Sequence, residues 1–288
     1  MPAVDLSSAL AKQQHADQAI KKLESLIRVF NEDPKTSAEI AASLDSETGY
    51  HVFRVRSVPD YQSHIERVSL ALGDVVGALR SALDYLAWQY ACAYANGIPE
   101  NPRRIYFPIC SARKGQQHKN PKYLSPATWV ALHEYQPCRG LNGRSDSWSG
   151  PYIHQLELLV SLSNRDKHQS LIHVELTPSQ FSTIPTHPLP EWIVETEKGF
   201  EFRPDLVTES NSRINDMDFS HAAKEVAVGA EVARIRSPLL KGVNEIAGAG
   251  YVTPRFALPG GDPVIPALQR LSQYVKMILL DFEYKYFT

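Results

Sequence analysis

The chain has 288 residues, with 30 Lys and Arg against 32 Asp and Glu and a formal charge of -2. At 43% apolar and 22% charged it has a globular composition, which excludes collagen-like, coiled-coil-only and wholly disordered chains. The near-neutral total excludes a general polyanion binder, and three scattered cysteines, Cys92, Cys110 and Cys138, cannot make a disulfide scaffold or a zinc knuckle.

The opening MPAVDLSSAL has neither the basic nor the apolar region of a signal peptide. No window approaches the roughly 18 consecutive apolar residues of a membrane span. The expectation is a cytoplasmic protein with reduced thiols and no membrane association.

The predicted elements follow in chain order. Leu6, Leu10, Gln13, Ala16, Ile20, Leu23, Ile27 and Phe30 recur at steps of three and four, which predicts a helix over residues 7–30, stopped by Asp33-Pro34. A strand is expected at 50–58. Ile65, Val68, Leu72, Val75, Leu79, Leu83, Leu86 and Tyr90 predict a helix over 61–95, about 50 Å long at about 1.5 Å per residue. A second stripe of that helix, Gly73, Gly77, Arg80, Asp84, Ala87 and Ala91, is rich in small residues and implies cover on two sides, as in the middle helix of a bundle.

Residues 97–150 read as a long connection holding one short helix, with Ser125 as its N-cap and Pro126 in its first turn. A further helix is expected at 151–169. From 171 to 258 the apolar period becomes two, which predicts antiparallel strands at 171–176, 191–195, 199–203, 225–235 and 251–258. A last helix, 263–286, returns on Val264, Leu268, Leu271, Val275, Ile278 and Phe282. The expected class is α+β, with a helical half at 1–170, a β region at 171–262 and a C-terminal helix at 263–288 packing back, the whole compatible with a single domain.

Three polar features are candidates for chemistry. Arg80 and Asp84 are four apart and so neighbours on the helix surface; a structural ion pair is the plain alternative. Asn164 and His168 share a face of the 151–169 helix, with Asp166 and Lys167 beside them; a histidine at a helix C-terminus is favoured as imidazolium, and capping of the last carbonyls is the structural alternative. Residues 101–133 contain no Asp or Glu but hold Arg103, Arg104, Arg113, Lys114, Lys119 and Lys122, a pattern suited to a phosphate-bearing ligand or RNA, or to a solvated loop. No cofactor or metal is expected, because the glycine-rich nucleotide motifs, G-x-S-x-G and the paired-histidine metal spacing are all missing from the sequence.

The segments Arg80-Ser81-Ala82-Leu83-Asp84-Tyr85-Leu86-Ala87-Trp88-Gln89, Phe107-Pro108-Ile109 and Asn164-Arg165-Asp166-Lys167-His168 resemble a bacterial family of hypothetical proteins with R-S-A-L-D-x-L-A-x-Q, F-P-I and N-x-D-K-H-R motifs. Gln169 stands where that pattern has Arg. The likeness runs from about residue 60 onward and is closest at 72–110 and 151–175. A looser resemblance, carried by Asn164-x-x-x-His168, is to HEPN-type helical ribonucleases, with Arg80 or Arg165 in the arginine's place. That resemblance implies metal-independent phosphodiester cleavage by a homodimer.

Two readings result. In the first the chain is a soluble binding or interaction protein, with Asp84, Asn164, Asp166, Lys167 and His168 closed into a polar lock and no open pocket. In the second it is a metal-independent ribonuclease or nucleotide phosphodiesterase. There His168 is the general acid or base, Asn164 orients the phosphate, and Arg80 or Lys167 stabilises the developing charge. Both require the Asn164–His168 group to meet Arg80 and Asp84 across two helices.

Overall fold

The computed structural model describes residues 4–110, 121–137, 154–168, 174–183, 193–196, 199–202, 216–218, 226–236, 245–259 and 261–285. These form the α+β fold expected: helices α1 (Ser7–Glu32), α2 (Gln62–Ala95), α3 (Pro126–His133), α4 (Gln155–His168) and α5 (Val264–Lys285), with antiparallel strands between them. The predicted helix of 151–169 starts before the described span, since residues 151–153 lie outside it.

The chain divides into two compact units. Unit 1 comprises Met1–Leu26, Ile65–His173 and Val264–Thr288; unit 2 comprises Ile27–His64 and Val174–Pro263. The late breaks, after His173 and Pro263, lie close to the expected boundaries at 170 and 262; what differs is that residues 27–64 join the β unit, because two strands early in the chain, β1 (Ala38–Leu44) and β2 (His51–Ser57), belong with the late ones.

Unit 2 is built on a six-stranded sheet in the order β3-β8-β1-β2-β7-β6, antiparallel at every pairing. Its further strands are β3 (Glu175–Thr183), β6 (Asp216–Asp218), β7 (Glu231–Arg236) and β8 (Glu245–Ala257); β4 (Ile193–Thr196) and β5 (Gly199–Phe202) form a separate antiparallel pair. Ala38, Ile40 and Ala42 alternate inward along β1 and meet Phe53 and Val55 of β2, Ala233 of β7 and Val252 of β8 in one apolar cluster.

Two expectations for this unit are corrected. β1 had no predicted counterpart. The strand expected over 225–235 starts only at Glu231, because Gly229 turns the chain at a φ of 83° and leaves Val228 65% exposed rather than on the inner face.

Unit 1 holds the apolar faces of the helices. The α2 stripe Val68, Leu72, Val75, Leu79, Leu83 and Leu86 is fully buried, as are Leu156, Leu159 and Leu162 of α4 and Leu268, Leu271, Val275, Ile278 and Phe282 of α5. Asn96, in the left-handed region at a φ of 54°, ends α2.

Polar side chains fix the helix registers. Gln13, buried within the apolar stripe of α1, donates to Ser272 of α5 and to Asp17, and Ser272 donates to Asp17 at 2.6 Å. Tyr90 donates to the Phe282 carbonyl and sets its ring edge-on to the Phe282 ring.

The expected two-sided cover of α2 holds only toward its C-terminal end. Ala87 and Ala91 are buried, but a Cβ added at Gly77 meets nothing within 4 Å. A cavity of about 420 Å3 runs along Gly73, Asp74, Gly77 and Ser81, with Lys12 and His15 on its other wall.

Candidate functional site

Beyond the short helical turn at Pro102–Arg104, the segment Tyr106-Phe107-Pro108-Ile109-Cys110 is neither helix nor strand. Phe107 and Cys110 are nonetheless buried. Buried main chain needs hydrogen-bond partners, and here side chains supply them. Tyr123 donates to the Tyr106 carbonyl at 2.7 Å. Asp84 accepts the Phe107 N–H at 2.8 Å, and Arg80 donates to the Phe107 carbonyl at 2.9 Å. Gln136 donates to the Pro108 carbonyl and accepts the Cys110 N–H, both at 2.9 Å.

Spacing makes this possible. Residues four apart on α2 place Arg80 and Asp84 side by side at 3.3 Å, so that cation and anion bracket the two polar atoms of one residue. Ser125 caps α3 by accepting the Thr128 N–H, with Pro126 in the first turn as expected, and the helix delivers Gln136 just beyond its end. Burial pushes the Tyr123 phenol up to about 12, which keeps it a donor at neutral pH.

Against this pinned segment lies a cavity of about 360 Å3, lined by Arg80, Asp84, Tyr106, Phe107, Ile109, Val160, Ser163 and Asn164. Three of the sequence-predicted residues, Arg80, Asp84 and Asn164, therefore meet across α2 and α4. Arg80 and Asp84 cancel each other's charge and are bound to main chain; their side chains are 15% and 33% exposed. Ser163 is only 6% exposed, and its hydroxyl has no hydrogen-bond partner among the described residues. Asn164 is exposed, and its carboxamide likewise has none among them.

Asn164 therefore does not belong to a closed polar lock with Asp84, and the expectation of no open pocket is corrected: the two residues border a cavity instead of bonding across it. The backbone of Asp166, Lys167 and His168 is the last turn of α4; their side chains lie outside the described residues. Of the basic candidates, Arg103, Arg104 and Lys122 are exposed, while Arg113, Lys114 and Lys119 lie outside the described residues. Gln136 is the support residue that sequence reasoning did not single out. A lone amide between Tyr135 and Pro137 was the only sequence sign of Gln136.

The start of α4 is fixed by a histidine. His154 Nδ1 accepts the Leu156 N–H at 3.2 Å, an N-cap that places the ring proton on Nε2, 3.4 Å from the Tyr274 hydroxyl. Tyr274 donates in turn to the Tyr135 carbonyl, and Tyr135 donates to Asp281. Burial lowers the His154 pKa, with the Glu157 charge opposing it weakly.

No family model, curated protein or solved structure matches the chain. Among the described residues no group of three or more His, Cys, Asp or Glu is placed to hold a metal, and no helix is long and apolar enough to cross a membrane.

Proposed function

We propose that unit 1 is a binding module and that the cavity beside the 106–110 segment is its ligand site. The observation that supports this most directly is the division of labour among the lining groups. The two charged side chains are committed to the Phe107 peptide, whereas Ser163 and Asn164 have no hydrogen-bond partner among the described residues and stand beside the apolar Phe107, Ile109 and Val160. Small-molecule sites combine apolar walls with a few convergent polar groups in a volume of about 300–1,000 Å3; here Phe107, Ile109 and Val160 supply the first and Ser163 and Asn164 the second.

The test is a thermal-shift screen of the whole chain against small neutral polar compounds, nucleotides and inorganic phosphate. At least one compound should raise the melting temperature of the wild type and leave Asn164→Ala unmoved. If no compound separates the two proteins, the proposal fails.

A second reading, metal-independent cleavage of RNA or a nucleotide phosphodiester, draws support from Arg80 and Asn164 sharing one cavity and from His168 following Asn164 by one helical turn in the chain. Against it, Arg80 already has an anionic partner and a carbonyl to hold, which weakens it as a stabiliser of developing negative charge. RNA cleavage unchanged by His168→Ala would remove this reading.

A further inference from the structure

We infer that the cavity takes a neutral, planar nitrogen heterocycle carrying an N–H donor next to a carbonyl acceptor, the edge chemistry of a nucleobase such as uracil. This rests on the reading of the cavity as a ligand site and names its ligand class.

Charge decides the first property. Among the described residues the lining contains one guanidinium and one carboxylate 3.3 Å apart, a pair with no net charge to offer an anion. An isolated phosphate would have to break that pair or sit unneutralised.

Hydrogen bonding decides the second. A carboxamide presents one donor and one acceptor side by side. Its best complement is a ring edge with the same pair reversed, which gives two parallel bonds as Asn gives to a base. Asn164 is the carboxamide, and the nine-tenths buried Ser163 hydroxyl beside it can donate or accept.

Shape decides the third. Tyr106 lines the cavity and is 55% exposed; Tyr123 holds its carbonyl, and the two rings lie 6.4 Å apart, so an aromatic ring is available there for a planar ligand to stack on. Phe107, Ile109 and Val160 supply the apolar remainder of the wall. The same edge chemistry arises in a free base and in an unpaired base of an RNA strand, and the experiment separates these sources.

The test is calorimetric titration of the full chain with uracil, 1,3-dimethyluracil, inorganic phosphate and a short oligouridylate. Uracil is expected to bind. Methylation removes the N–H edge but keeps the ring, and should weaken binding by about tenfold or more, as should Asn164→Ala, for the loss of paired hydrogen bonds. Asn164 is exposed, so that variant should melt like the wild type without ligand; the milder Ser163→Ala should weaken uracil by a smaller factor.

Oligouridylate binding more tightly than uracil, and still dependent on Asn164, assigns the base to a strand; equal binding assigns a free small molecule. Dimethyluracil binding as well as uracil, or phosphate binding in its place, overturns the ligand class. A different neutral compound raising the melting temperature while uracil fails overturns the class and leaves the ligand site standing. If nothing in the thermal-shift screen depends on Asn164, both fail together.

Discussion

Replacing Asp84 by Ala removes the acceptor of the Phe107 N–H and the partner of Arg80 in one step. A hydrogen bond to a charged group contributes about 1.5–3 kcal/mol. Breaking a buried ion pair at one partner costs about 3–5 kcal/mol. Asp84 keeps 33% of its side-chain exposure, so water can reach the orphaned partners and the second figure is screened toward the first. The expected loss is about 2–3 kcal/mol.

Asp84→Asn keeps an oxygen for the Phe107 N–H and loses only the charge, so it should cost about 1 kcal/mol. Urea unfolding followed by tryptophan fluorescence, to which Trp88, one helical turn beyond Asp84 on α2, contributes, measures both. An Asp84→Ala protein within about 0.5 kcal/mol of wild type, the ordinary scatter of surface substitutions, would refute the view that this side chain holds the segment.

Three more outcomes follow from the same structure. Gln136→Ala should lose about 2–4 kcal/mol in urea unfolding, because it strands the Cys110 N–H and the Pro108 carbonyl in a buried site. Gly77→Ala should instead gain about 0.5–1 kcal/mol, since nothing lies within 4 Å of the added Cβ and a mid-helix glycine is unfavourable; a loss would mean that the groove is filled. The depressed pKa of His154 makes stability pH-dependent: the unfolded chain takes up a proton as pH falls through about 6.5 and the folded chain resists it, so stability is complete above that value and declines below it. His154→Asn keeps a capping oxygen and should flatten the fall in urea midpoint between about pH 7 and pH 5.5, whereas an unchanged slope would assign the dependence to another group.

The longer helices were legible from consistent apolar spacing, which α2 shows over its whole length, and the eight-residue α3 from its Ser125-Pro126 start. β1 was not. Ala38–Leu44 has small residues where strands usually carry branched ones, so it carried no strong signal of its own even though one sheet neighbour, β2, follows it closely; the other, β8, lies some two hundred residues later. The false start of β7 has the opposite cause: Val226 to Ala230 alternates like a strand, but the turn at Gly229 produces the same alternation.

At the site, the four-residue spacing of Arg80 and Asp84 predicted their contact and not its purpose. What they grip is set by the path of the connection after α2, which returns to the helix without any periodic pattern. The joining of α2 and α4 was legible as a cluster of polar residues on two helices. That it encloses open space depends on the side chains of Tyr106, Val160 and Ser163, whose packing no spacing rule specifies.

The most direct test of the account is native-state hydrogen exchange at the Phe107 amide. If Asp84 holds that N–H in a buried wall, its exchange should require an opening free energy close to that of unfolding unit 1, and Asp84→Ala should abolish the protection. Exchange at the rate of an exposed loop in the wild type would contradict it, for then the cavity would have no fixed wall.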